Sequence, residues 1–371
     1  MKRSGSWYRI DGVRRGAVVG MHERMPDNAA LKGGKRKIYP ALLFICLAIF
    51  VQCAAGGRQE RILKAPKEKP VAFREVWAYL MQGEEKELMG SEPLTDICYF
   101  SVRMDRSGNL TGPKTPPDIM KNRAVRWHLV IAELTNSMLI GTCINSTLPF
   151  RDNLLRDIVA YSGPYSGVQI DFEAVLPADR EHFISFLGDL KTRLGPSKTL
   201  SVALPARLKR VSDAYEYAAI AAVADRIIIM AYDQYWSTGP PGPVAALSWC
   251  RQVVAYAKSQ VPGGKLIMGV PLYGRAWQEV QHARALRDSH VREIMERKRP
   301  KVVMDPEKGP SMVYTESVRV CVYFNTLQSL TEKTRLYSSE GAFGVAFWRI
   351  GQGDPRFWNY ITVDPGTAET E

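Results

Sequence analysis

From about residue 74 onward the chain alternates between two hydrophobic periods. Short, nearly continuous apolar runs recur at Val76–Leu80, Ile97–Val102, His128–Leu134, Val168–Glu173, Leu200–Leu204, Arg226–Ala231, Leu266–Val270 and Phe343–Trp348. A strand with one wet face alternates, whereas a run that is apolar at almost every position suits a parallel strand covered on both faces. Between the later runs, apolar residues fall three and four apart over Arg151–Ala160, Arg180–Leu194, Ser212–Val223, Pro243–Ser259 and Thr326–Ser338, which predicts amphipathic helices. Asp179 and Ser212 suit N-caps, and Pro243 suits a first helical turn. Strands alternating with helices in this way predict an α/β fold of the (β/α)₈ TIM-barrel type over residues 71–365. The first two connections read as too short or too irregular for full helices. The stretch 278–340 is longer than one helix needs. It holds a helical piece at Ala283–Arg299 and a hairpin near Val313–Phe324, so a small insertion before the last strand is expected.

The segment before the barrel has a different pattern. Lys35-Arg36-Lys37 precedes an uncharged run from Ile38 to Ala55, followed by Gly56 and Gly57. Basic, apolar, then small is the order of a secretory signal. The run is at the lower length limit for spanning a bilayer and contains Pro40, so cleavage is expected ahead of anchoring. Cys53 is a candidate lipid-anchor site after cleavage. Met21 and Met25 lie upstream of the basic cluster, so a start at either is expected, with residues 1–55 forming an N-terminal extension and signal. Residues 56–70 read as a polar, proline-bearing linker. The mature protein is expected to be exported to the periplasm, cell envelope or medium, to be monomeric and to lack a membrane span.

Composition narrows the classes further. At 46% hydrophobic and 24% charged residues, the chain is an ordinary globular sequence, which excludes collagen, coiled coil and disorder. A net charge of +12 invites a nucleic-acid reading. Residues 1–37 alone carry ten Lys/Arg against three Asp/Glu, however, leaving about +5 for 56–371. That is too weak a bias for a phosphate-backbone partner, so no nucleic acid is expected. The body has four widely spaced cysteines (Cys98, Cys143, Cys250 and Cys321), no C-x-x-C pair, and the whole chain only five histidines. No metal or cofactor is expected. Export would permit disulfides, but Cys98 and Cys143 sit in or after strand-like apolar runs and Cys250 in a helix-like one. Buried free thiols are expected there.

Candidate chemistry concentrates in Gly167-Val168-Gln169-Ile170-Asp171-Phe172-Glu173. On a strand, Gln169, Asp171 and Glu173 share one face while Val168, Ile170 and Phe172 share the other. A barrel strand ending in inward carboxylates puts them at the C-terminal mouth. Asp305-Pro306-Glu307 has the same spacing but reads as a surface turn. The apolar strand distinguishes 171–173, because buried unpaired carboxylates are costly without a function.

The run Ser166-Gly167-Val168-Gln169-Ile170-Asp171-Phe172-Glu173 resembles the D-G-x-D-x-D-x-E signature of glycoside hydrolase family 18, which includes chitinases and endo-N-acetylglucosaminidases. Leu200-Ser201-Val202-Ala203-Leu204-Pro205 is similar to the family's strand five. Met230-Ala231-Tyr232-Asp233 is similar to its M-x-Y-D motif, and Gly269-Val270-Pro271-Leu272-Tyr273-Gly274-Arg275 to its G-x-P-x-Y-G-R motif. Phe347-Trp348-Arg349 is similar to its last strand. The segment from Trp348 to Pro355 resembles the bacterial branch that includes spore-cortex-lytic enzymes. The resemblance spans roughly 74–360.

It implies a retaining, substrate-assisted glycosidase acting on β-1,4-linked N-acetylglucosamine in peptidoglycan or chitin-type glycans. Glu173 would be the general acid. Asp171 would orient the substrate's acetamido group and stabilise the developing positive charge, and Tyr232 would hold the acetamido oxygen. Gln169, Met230, Asp233, Tyr273, Arg275 and Trp348 would line the substrate-binding surface. Without the resemblance, Met230 suits core packing, Tyr273 a rim and Arg275 an internal ion pair. Trp236 and Trp277 suit either sugar subsites or interface packing.

Ser166 and Gln169 replace the family's first two aspartates. Gln169 is expected to donate its amide to Asp171 and so to keep that carboxylate ionised more readily. The competing reading is a catalytically inactive, lectin-like glycan binder on the same barrel, and an envelope scaffold is a third. The retained Glu173 favours the enzyme.

Overall fold

A computed structural model of the protein describes residues 65–364, apart from 113–115, 123–124, 279–287, 306–308, 316 and 319. The signal-like segment, Cys53 and the first part of the linker lie outside the described residues, as do Pro306 and Glu307 of the second D-x-E run. Among the described residues, no helix is long and apolar enough to cross a membrane.

Eight parallel strands close into a barrel: β1 (Glu75–Met81), β2 (Asp96–Met104), β3 (Arg126–Glu133), β4 (Gly167–Phe172), β5 (Thr199–Pro205), β6 (Arg226–Met230), β7 (Leu266–Pro271) and β8 (Gly344–Trp348). Each pairs with its sequence neighbour from β1 to β7, and β8 sits between β7 and β1 to close the ring. The eight apolar runs all become these strands. Their burial on both faces has two sources. One set of side chains, including Val76, Ala78, Leu80, Val168, Ile170 and Phe172, packs outward under the helices. The alternate set, including Trp77, Tyr79, Cys98, Phe100, Val130 and Ala132, fills the interior.

The described helices are α1 (Ser137–Ile144), α2 (Phe150–Tyr161), α3 (Arg180–Leu194), α4 (Tyr217–Val223), α5 (Leu247–Gln260), α6 (Asp288–Lys298) and α7 (Leu327–Ser339). In α3 the buried Phe183, Phe186, Leu187, Leu190 and Leu194 form the predicted stripe. Phe186 stacks on Phe172 at 6.0 Å between ring centroids. Each such buried side chain contributes about 1.5–3 kcal/mol.

Several local expectations are corrected. Ser212 does not cap a helix, because α4 starts only at Tyr217. Pro243 lies outside α5, which begins at Leu247. Asp179 stands at the α3 N-cap but makes no side-chain capping bond. The helix α1 was not expected: its Ser-Met-Leu-Ile-Gly-Thr-Cys-Ile sequence has weak intrinsic propensity. It forms because Asn136 Oδ1 accepts the Leu139 N–H at 3.1 Å and Ile140, Cys143 and Ile144 are buried. The stretch after β7 also divides differently. The hairpin joins Val302–Asp305 to Gly309–Met312, whereas Val320–Tyr323 pairs with Arg275–Gln278. Helix α7 packs on β7 and β8. Cys98, Cys143 and Cys250 are buried and free, and Cys321 is half-buried and free.

The N-terminal end of the barrel is plugged by charge. Glu75 accepts bonds from Arg126 Nη2 (2.6 Å), Arg226 Nη2 and Nε (both 2.8 Å) and Trp77 Nε1 (2.9 Å). Asp96 accepts from Arg126 Nη2 at 2.7 Å and lies 2.7 Å from His128 Nε2. Burial alone would raise the Glu75 carboxyl. The bonds and charges of Arg226 and Arg126 outweigh that and hold it at about 2.

Candidate active site

The opposite, C-terminal end of the barrel gathers the motif residues. On β4, Gln169 is fully buried, Asp171 is 3% exposed, and Glu173, one residue past the strand, is exposed. The strand therefore presents the three polar side chains at increasing height up the interior. The Glu173 N–H donates to Glu133 O of β3 at 3.0 Å, continuing the ladder to the rim.

Burial pushes Asp171 well up from the ordinary carboxylate range, and the nearby Glu173 charge adds to this. Asp171 Oδ1 has no partner among the described residues. Glu173 is also raised, by desolvation and then by the Asp233 carboxylate. Two neighbouring carboxyls in this state titrate as a pair and hold a proton where isolated ones would have lost it.

The expected bond from Gln169 to Asp171 is not what the structure shows. Gln169 Nε2 donates instead to Ser201 Oγ at 3.4 Å, because strand register sets Gln169 opposite Ser201. Burial pushes the Tyr79 hydroxyl and the Cys98 thiol well above their ordinary values, and the nearby Gln169 amide offsets this only in part. Asp171 is thus not eased into ionisation, and its shift runs the other way. A fully buried Gln169 is also closed to direct contact with a glycan. Ser166 lies at the far end of β4, where its N–H donates to Trp127 O, so that departure is remote from the mouth.

The loop after β6 contributes Tyr232 and Asp233. Burial raises the Tyr232 hydroxyl well above its ordinary value, with Asp171 the next contributor. Gly269 on β7 makes room for this ring: a Cβ there would lie 2.9 Å from Tyr232 Cε1 and 2.6 Å from Ile229 O. Asp233 has a left-handed backbone (φ 54°) that turns its carboxylate towards the β7 loop. Its Oδ1 accepts from both Tyr273 Oη and Arg275 Nη2. Arg275 is therefore an internal ion-pair partner, as its residue type alone suggested, and its guanidinium lies 5.6 Å from the Tyr273 ring centroid. Met230 ends β6, half-buried beside Pro205.

Trp348 ends β8 and forms an aromatic floor, half-exposed to the mouth. It packs against Tyr79 at 5.0 Å, Phe100 at 5.1 Å and Tyr232 at 6.5 Å. Tyr79 and Phe100 escaped the sequence reading, although both occupy inward-facing positions of their strands. Trp277 is 9% exposed and packs edge-on against Tyr323 at 6.0 Å, whereas Trp236 is 59% exposed beside the mouth. Among the described residues no cluster of His, Cys, Asp and Glu could hold a metal.

This constellation can donate a proton from an exposed carboxyl, stabilise a nearby cation and stack on a planar or apolar face. The cortical fragment-lytic enzyme of Bacillus anthracis is 28% identical over 290 residues, covering 72% of this chain and 67% of that protein. The crystal structure of the Bacillus cereus spore cortex-lytic enzyme SleL superposes with a TM-score of 0.64 at 26% identity, covering 81% of this chain and 77% of that one. A chitinase from Chromobacterium violaceum shares the fold at a TM-score of 0.62, covering 77% of this chain and 97% of its own at 22% identity. Residues 144–353, more than half of the chain, match the profile described as Glycosyl hydrolases family 18. The chain belongs to that family and is a glycosidase.

Proposed function

We propose that the protein is a retaining, substrate-assisted hydrolase of β-1,4-linked N-acetylglucosamine glycans, with Glu173 as general acid. The observation that carries this is the unequal placement of its carboxylates. Glu173 stands exposed at the rim, and desolvation together with the Asp233 charge raises its pKa, the direction a general acid needs. Asp171 is too deeply buried to attack a sugar carbon, and Asp233 is engaged by Tyr273 and Arg275. The substrate's own acetamido oxygen is then the available nucleophile, a known departure from the two-carboxylate scheme.

In this scheme Glu173 gives its proton to the leaving glycosidic oxygen as the acetamido oxygen bonds to C1 and the C1–O bond breaks. Asp171 faces the positive charge that develops on the resulting ring, and its ionised form stabilises that charge. Tyr232 donates to the acetamido oxygen and holds it in line. Glu173, now ionised, takes a proton from the water that attacks C1 and displaces the acetamido oxygen, which breaks the C1–O bond formed first, restores the acid and, by a second inversion, retains configuration. Trp348 stacks beneath the sugar.

Relatives named for spore cortex lysis favour peptidoglycan over chitin as the glycan. With the signal-like order before residue 58, the same proposal places the enzyme outside the cytoplasm. The test is digestion of purified peptidoglycan with mass spectrometry of the released ends, alongside turnover of a chromogenic chito-oligosaccharide. Cleavage by the wild type and its loss in Glu173→Gln support the proposal. Equal release by both proteins would overturn it, as would glycan binding without turnover by the wild type.

A further inference from the structure

Asn325 stands just before α7 and reaches back to the bend that follows β7. Its Nδ2 donates to Pro271 O at 3.1 Å and to Tyr273 O at 2.9 Å. Its Oδ1 accepts from Lys333 Nζ at 2.9 Å, and Lys333 is only 4% exposed. Lys333 Nζ also lies 3.3 Å from Ser329 O. Asn325, Ser329 and Lys333 are spaced four apart and share one side of the α7 start. The Thr326–Ser329 capping box also fixes that start, and its Ser329 Oγ lies 3.5 Å from Asn325 Oδ1.

The clamped bend carries two of the groups that hold Asp233. Tyr273 lies within it and Arg275 begins the strand beyond it, pairing with Tyr323. Between them the backbones touch: a Cβ on Gly274 would lie 2.8 Å from Phe324 Cβ and 2.8 Å from Tyr323 O. One amide therefore spans two carbonyls of a segment whose side chains meet the Asp233 carboxylate. A buried lysine fixes that amide's orientation, because its ammonium must face the oxygen.

We infer that Asn325 is a positioning residue for the glycosidase, holding the 271–275 bend so that Tyr273 and Arg275 keep Asp233 in place at the rim, with Lys333 orienting the Asn325 amide. The inference rests on the proposed function, since it takes the Asp233 cluster as part of the working site. The groups facing Glu173 in that site are Asp171, Asp233, Tyr232 and Tyr215.

The test compares Asn325→Ala, Arg275→Gln and the double variant in the full-length protein, with kcat and KM measured across pH. Asn325→Ala is expected to lower kcat/KM about 10–100-fold, the scale of a small misplacement relayed to a reacting group. Losing Arg275 beside Asp233 leaves more negative charge near Glu173, so the alkaline limb should move upward in both single variants. The double variant should be no worse than the poorer single one, because both act through the same carboxylate. Lys333→Met should give a smaller loss in the same direction, and Asn325→Gln should recover part of it. Multiplying losses in the double variant, or an unmoved alkaline limb in Asn325→Ala, would overturn the inference. Hydrogen exchange of the 272–275 amides gives a readout independent of turnover. Faster exchange in Asn325→Ala but not in Arg275→Gln supports the clamp even where the wild type cleaves nothing, and equal protection in all three proteins would sink it.

Discussion

The two ends of one barrel treat buried carboxylates in opposite ways. At the N-terminal end, Glu75 and Asp96 are buried but surrounded by Arg126, Arg226 and His128, and Glu75 is held at about 2. At the C-terminal end, Asp171 and Glu173 stand near one another and near Asp233, with no cation paired to either among the described residues, and both are raised. Desolvation acts in the same sense at both ends, so the difference comes from the partners. Paired charges at the bottom hold strands together. Unpaired carboxyls at the top cost stability, and their pKa values are raised instead of lowered.

The largest test of this contrast is Glu173→Gln, which should lower kcat by about 10²–10⁴-fold in steady-state assays. Asp171→Asn should follow, raising the barrier by about 2–4 kcal/mol. Thermal melting of the same variant at neutral pH should give a midpoint equal to or above that of the wild type. A lower midpoint would mean that Asp171 is structurally paired after all.

Glu75→Gln should do the reverse. Activity per folded molecule should hardly change, while stability should fall by about 3 kcal/mol because Arg226 loses its carboxylate and Arg126 keeps only Asp96. Partial exposure of Arg126 keeps the loss at the lower end of what a broken buried pair costs.

The pH dependence of stability sharpens the comparison. The folded pKa of Glu75 lies below its unfolded value of about 4.5. Its contribution is present above 4.5 and lost as pH falls towards 2. The folded pKa of Asp171 lies above its unfolded value of about 3.8, so its ionisation costs stability as pH rises beyond that value. Melts between pH 3 and 7 should therefore show the Glu75→Gln deficit shrinking at the acid end. Any advantage of Asp171→Asn should grow towards neutrality.

The smallest expected effect is that of Gln169→Asp. A second carboxyl beneath Asp171 should move the acid limb of the pH–rate profile slightly upward. It would also leave a buried acid opposite Ser201, with a modest loss of stability. An unmoved limb would show that position 169 is electrostatically separate from Asp171.

Much of the candidate site was legible from the chain alone, because its signals are local. Alternation over seven residues put Gln169, Asp171 and Glu173 on one face, and the later motifs each occupy a few consecutive positions at a strand end. The same is true of the eight strands, whose continuous apolar character reflects burial on both faces whatever the neighbours are. Helix α1 was hidden because its propensity is weak and its stability comes from packing.

What only the tertiary structure decided is which polar group meets which. Glu75 and Arg226 are 151 residues apart and meet only because the barrel closes. No periodicity distinguishes such a pair from surface charges. The partner of Gln169 was likewise settled by the β4–β5 register, which offers Ser201 and leaves Asp171 unrelieved. Asn325 reads as an unremarkable pre-helix residue until the fold brings it under Pro271 and Tyr273. Hydrophobic periodicity is written along the chain because alternate residues of a strand meet the same layer. Hydrogen bonds and ion pairs depend on distances of about 3 Å between remote segments, and closure and register alone set those.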